Sequence, residues 1–115
     1  MKTDKTCLHD IIAAMRSAVT FAGDRTLEQF RVDDLVSAAV ERRIEIMGEA
    51  TKRLSMSLRD SHPEIPWRQM AGMRDLLIHA YDDIEVAVVY DAVTQVIPPL
   101  IPRIEAIIQT LPDPE

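Results

Sequence analysis

The chain has 115 residues, the size of one domain spanning 1–115, and 47% apolar with 28% charged residues is the balance of an ordinary folded globule. Thirteen Lys and Arg against nineteen Asp and Glu leave a net charge of −6, which argues against unselective polyanion binding by the bare chain. The longest apolar runs, 11–15 and 86–90, are five residues each, far below the ~20 of a membrane span, so no membrane association is expected.

The first ten residues carry no apolar signal core, and a cytoplasmic location is expected. One cysteine, Cys7, closes neither an internal disulfide nor a Cys-based zinc site, and neither His9 nor His62 has a second histidine at helical spacing. No metal site and no cofactor are therefore predicted. With only Gly23, Gly48 and Gly72, there is no glycine-rich phosphate loop.

Helical periodicity runs through the chain. Leu8, Ile11, Ile12, Met15, Val19 and Ala22 fall on one face of a first helix that ends at Gly23-Asp24. Residues 26–30 read as a single helical turn. Asp33 or Asp34 then caps a long helix to about residue 59, with the stripe Val36, Val40, Ile44, Met47, Thr51, Leu54 and Leu58. At ~1.5 Å per residue that helix would measure about 40 Å. His62-Pro63-Glu64-Ile65-Pro66 breaks the chain, and Pro66 suits the first turn of a helix from 67 to about 79. Asp82 or Asp83 caps another over 84–97. Pro98-Pro99 kinks or interrupts it before a last segment, 100–111, and a frayed tail. No alternating strand pattern, repeat or low-complexity tract is present. The fold class predicted is all-α, an up-and-down bundle of four to five helices.

Residues 84–108 carry more apolar side chains than one buried face needs, so a second cover is expected. In a chain this small a second copy can supply it, and a homodimer is predicted; a central helix within one chain is the simpler alternative.

The chemistry-bearing stretch is Met73-Arg74-Asp75-Leu76-Leu77-Ile78-His79-Ala80-Tyr81, an R-x4-H-x-Y pattern. Arginine offers a permanently charged planar fork to phosphate. Histidine serves as base or acid near neutrality. Tyrosine adds a hydroxyl that can donate, accept or be modified. Together they suffice for metal-independent cleavage of an RNA phosphodiester. His79 would take the 2′-OH proton, and Arg74 would hold the charge developing on phosphorus. Five residues place Arg74 and His79 roughly 140° apart on a straight helix, so convergence needs a helix break or a second subunit. Gly72, just upstream, would permit close approach of another backbone. The bland reading is a packed histidine, an arginine ion-paired to Asp75 or Asp82, and a core tyrosine; spacing alone does not decide between them.

The wider context adds more. Ile46-Met47-Gly48-Glu49-Ala50, His62-Pro63-Glu64-Ile65-Pro66-Trp67, the stretch 70–81 and the apolar last helix together resemble the HepT-like branch of the HEPN superfamily, over roughly 8–111. The resemblance implies a helical ribonuclease toxin of a type VII-like toxin–antitoxin pair, acting on RNA, with tRNA among candidate targets. It implies a homodimeric active cleft with Arg74 and His79 as the catalytic pair. It also implies an MNT-type nucleotidyltransferase antitoxin that silences the toxin by AMPylation of Tyr81. One departure stands out: the residue after the arginine is often Asn in that family and is Asp75 here. Its carboxylate could orient His79 or raise its pKa, yet it opposes an incoming phosphate. Glu49 is a second candidate support that could contact Arg74, against the plainer reading of a solvent-facing helix charge. Arg42, Arg43, Lys52 and Arg53 offer a basic path for RNA, against the plainer reading of a solvated face paired to Glu41, Glu45 and Glu49. The rival functions are a non-catalytic helical adaptor, or nucleotide-binding subunit, of a nucleotidyltransferase complex, and a bare dimerisation module.

Overall fold

The structure, a computed structural model, describes residues 3–78 and 83–113, without the side chains of Arg74, Leu76, Leu77, Ile78, Asp83, Ile84 and Glu85. Every regular element among the described residues is helical, as the periodicity requires. The molecule measures 44 × 26 × 24 Å.

Helix α1 spans Asp4–Ala22, with the Thr3 hydroxyl accepting from the Thr6 N–H at its start. Gly23 ends it at φ 56°, a left-handed conformation that costs glycine nothing, and donates its N–H to the Val19 carbonyl. Helix α2, Leu27–Val32, is longer than the single turn predicted. Thr26 and Gln29 close a reciprocal capping box at its N-terminus.

The long helix expected to about residue 59 is two helices. Helix α3 runs Asp34–Lys52 from its Asp33 cap, and α4 runs Met56–Ser61. The cause of the break is Ser55. Its hydroxyl accepts from the Leu58 N–H and caps α4. Its own N–H and hydroxyl donate to the two carboxylate oxygens of Asp4, at 2.8 and 2.6 Å. Arg59 then reaches back to the carbonyls of Thr51, Lys52 and Leu54, at and just beyond the end of α3. Ser55→Ala is expected to cost about 1–2 kcal/mol, because it loses the cap and the tether together. Ser55→Asp should fare no better although aspartate is itself a good cap, since its carboxylate would face that of Asp4. Urea unfolding measures both.

Helix α5 is Trp67–Ile78 and α6 is Asp83–Asp91. Pro98-Pro99 was expected to kink or interrupt the last helix; instead a π-helical segment, Ala92–Val96, leads directly into α7, Ile97–Gln109. The Ile97 N–H donates five residues back, to the Ala92 carbonyl. Prolines at 98 and 99 have no N–H, and their rings crowd carbonyls one turn earlier. A wider turn at that point accommodates them.

The core is the one the stripes predict. Leu8, Ile11 and Met15 of α1 are buried with Val40, Ile44 and Met47 of α3. Trp67 and Met70 of α5 join them, as do Ile97 and Ile104 of the last helix. Helix α1 packs on α3 and α7, α3 on α5, and α2 on α3 and α6. Phe30 of α2 is sealed beneath α6, its ring centroid 5.5 Å from that of Tyr90, whose hydroxyl donates to the Arg25 carbonyl. Cys7 is a buried core residue.

The two ends of the chain meet. Lys5 donates to the Leu111 carbonyl at 3.1 Å and to Asp113 at 2.6 Å. That hydrogen bond, reinforced by the ammonium charge, holds the Asp113 carboxyl below its usual pKa. The tail expected to fray is thus tied down as far as Asp113. Further along, Arg16 pairs with Glu105.

Candidate active site

Helix α5 carries the first part of the motif. Pro66 lacks a donor that a first helical turn does not need, and Trp67 and Met70 anchor the N-terminal half in the core, at 5% and 2% exposure. Trp67 also donates its indole N–H to the His62 carbonyl, which closes the preceding turn. Arg74 lies within α5, seven residues on from Trp67. Asp75, next to it, has an exposed side chain. Gly72 is exposed, and a Cβ built on it would meet nothing within 4 Å. The close approach foreseen at Gly72 is therefore not made by any described residue, and the space beside it is open among them. His79, Tyr81 and the Asp82 cap lie outside the described residues.

The two supporting carboxylates have different partners. Asp75 receives the Lys52 ammonium at 3.1 and 3.3 Å, an ion pair that joins the last residue of α3 to α5. Glu49 pairs with Arg53 one turn along α3, at 3.1 Å. It lines a groove of about 340 Å³ between α1 and α3, with Asp10, Arg43, Ile46 and Arg53. Of the proposed basic path, Arg42 and Arg53 are taken up by Glu45 and Glu49, the solvated-face arrangement. Arg43 sits 5.7 Å from the centre of the Phe21 ring. The cross-helix pair Lys52–Asp75 and the capping role of Arg59 were not foreseen. The opposite charges of Lys52 and Asp75 were visible, but their meeting depends on how far α3 overlaps α5, which periodicity does not encode.

Comparison with known proteins decides the family. The family model described as ribonuclease HepT-like matches residues 11–107, most of the chain. The chain belongs to the HepT-like ribonuclease family. The HepT-like chain is 41% identical to the protein named probable ribonuclease HepT of Thermococcus cleftensis over 99 residues, 86% of this chain and 90% of the other. It is 36% identical over 110 residues to a Methanocaldococcus jannaschii protein provisionally named as an RNase, covering 96% and 91%. A Caldanaerobacter subterraneus protein with a similar provisional name is 32% identical over 109 residues, covering 95% and 97%. No solved structure gives a significant match. The resemblance read from the motif and its surroundings is thereby borne out, as is the all-α fold class. The enzyme class of this HepT-like chain is that of a ribonuclease. No helix among its described residues is long and apolar enough to cross a membrane.

Proposed function

We propose that the chain is a metal-independent endoribonuclease toxin, active as a homodimer, with Arg74 and His79 as its catalytic pair. The observation that carries this reading is the R-x4-H-x-Y pattern at 74–81 within a chain of the ribonuclease family. In the proposed reaction His79 removes the 2′-OH proton and the 2′-oxygen attacks the adjacent phosphorus. Arg74 stabilises the charge on the phosphorane, and the 5′-oxygen leaves with a proton. The products are a 2′,3′-cyclic phosphate and a 5′-hydroxyl. The second copy brings its own motif to a shared cleft. Val88, 39% exposed on α6, and the open space at Gly72 leave room for it.

The decisive experiment is cleavage of RNA by the purified protein in excess chelator. Cleavage that yields cyclic-phosphate ends supports the reading. Activity that disappears with the metal, or no activity on any RNA, overturns it. Sedimentation equilibrium tests the dimer.

Regulation follows at Tyr81. An MNT-type nucleotidyltransferase partner would use ATP, the tyrosine hydroxyl attacking the α-phosphorus and releasing pyrophosphate. Each AMP group brings negative charge and bulk to the place meant for RNA phosphate. Intact mass after incubation with that enzyme and ATP should rise by whole multiples of AMP, with no adduct on Tyr81→Phe. An adduct that survives this substitution counts against the assignment.

A further inference from the structure

We infer that the elbow between α2 and α3 docks into the cleft between α4 and α5 of a second copy of the chain, apolar on apolar and acid on base. Val32 ends α2 and Leu35 is the second residue of α3, and both stand in water, at 76% and 82% exposure. They adjoin an open hollow lined by Asp24, Arg25, Gln29, Asp33 and Asp34. Arg25 pairs with Asp33 at 3.5 Å, but the exposed carboxylates of Asp24 and Asp34 have no ionic or hydrogen-bonding partner among the described residues. Unpaired carboxylates repel RNA phosphate, so the occupant is a protein surface of the opposite design, an apolar hollow with basic side chains around it.

The chain carries that surface beyond the other end of α3. Met56, 73% exposed, joins Pro63 and Pro66 as the apolar wall of a cleft of about 620 Å³ between α4 and α5. Arg59 and Arg68 line it against the single carboxylate of Asp60. Arg59 donates to backbone carbonyls, and the exposed Arg68 has no partner among the described residues. The lining of the cleft is thus net positive, as that of the elbow is net negative. Helix α3 lies between the two, 19 residues or about 28 Å, so one chain cannot join its own elbow to its own cleft and the contact forms between copies. It is heterologous: each copy offers one elbow and one cleft, so copies add in series. The apolar area is that of a few side chains, which makes the contact weak and reversible.

Sedimentation velocity over about 5–500 μM protein, the range of weak interfaces, tests the contact. The average sedimentation coefficient of the wild type should climb with concentration, and the climb should flatten at about 0.5 M salt, where charge attraction is short-ranged. Leu35→Lys in the elbow and Arg68→Glu in the cleft should each hold the protein at its smallest species. Both side chains are exposed, so melting temperatures should stay near wild type. An equimolar mixture of the two variants should associate again, because one keeps an intact cleft and the other an intact elbow. Arg42→Glu, a charge reversal on α3 outside both surfaces, should associate like wild type. A wild type of constant mass over this range, or association that survives either single variant, overturns the proposal. A mixture that stays dissociated also overturns it, since elbow would then meet elbow. A wild type that is constant alone, yet gains mass with the nucleotidyltransferase partner only while Leu35 is intact, assigns the elbow to that partner and overturns the self-contact.

Discussion

His79→Ala should lower RNA cleavage by about 10³-fold, within the range that removal of a general base produces. Arg74→Ala should lose about 10²–10³-fold, since a preorganised donor to the phosphorane is removed. The two losses are not expected to add, because each group acts on the same transition state. Arg74→Lys should recover little, as a point charge does not reproduce the planar fork. The measurement is single-turnover cleavage of a defined RNA, with circular dichroism to verify that each variant is folded. Folded variants that cleave as fast as wild type would remove both residues from the mechanism. In a cell, the same substitutions should abolish growth arrest on expression. An adaptor without activity would show no arrest to abolish.

Phe30→Ala should be the most damaging single change in the bundle, about 3–5 kcal/mol. The ring is fully buried and stacks obliquely on Tyr90 at the α2–α6 contact, so its removal leaves a cavity and an orphaned aromatic partner. Domains of this size have about 5–15 kcal/mol in total, and a loss of this order should lower the melting temperature by about 10–20 °C. Phe30→Leu, which refills much of the volume, should cost less than half as much. A shift of only a few degrees for Phe30→Ala would mean that α2 does not cover the core as described.

The apolar stripes were legible in the sequence because each helix buries one face, and Leu8, Ile11, Met15, Ile44 and Met47 mark those faces at regular spacing. The division of the long helix was hidden for the same reason. Leu54 and Leu58 are both buried and continue the three- and four-residue spacing across the break, so periodicity passes over a capping serine without notice. The prolines misled in the opposite direction. A residue without an N–H reads as a stop, but next to a widened turn it sits inside a continuing helix. At the candidate site, residue types announced Arg74, His79 and Tyr81. The partners of Asp75 and Glu49 were a matter of three-dimensional placement: Glu49 found its cation one turn away, and Asp75 found its own 23 residues back, on another helix.

The clasp between Lys5 and the far end of the chain bears on how this protein is made. The contacts of α1 with α7, and the Lys5–Asp113 bridge 108 residues apart in sequence, cannot form until α7 and Asp113 have been synthesised. During translation α1 can settle on α3, but its other flank waits for α7 to leave the ribosome. A nascent chain that has not yet released α7 therefore leaves that flank of α1 open to water, and the bundle closes in two stages.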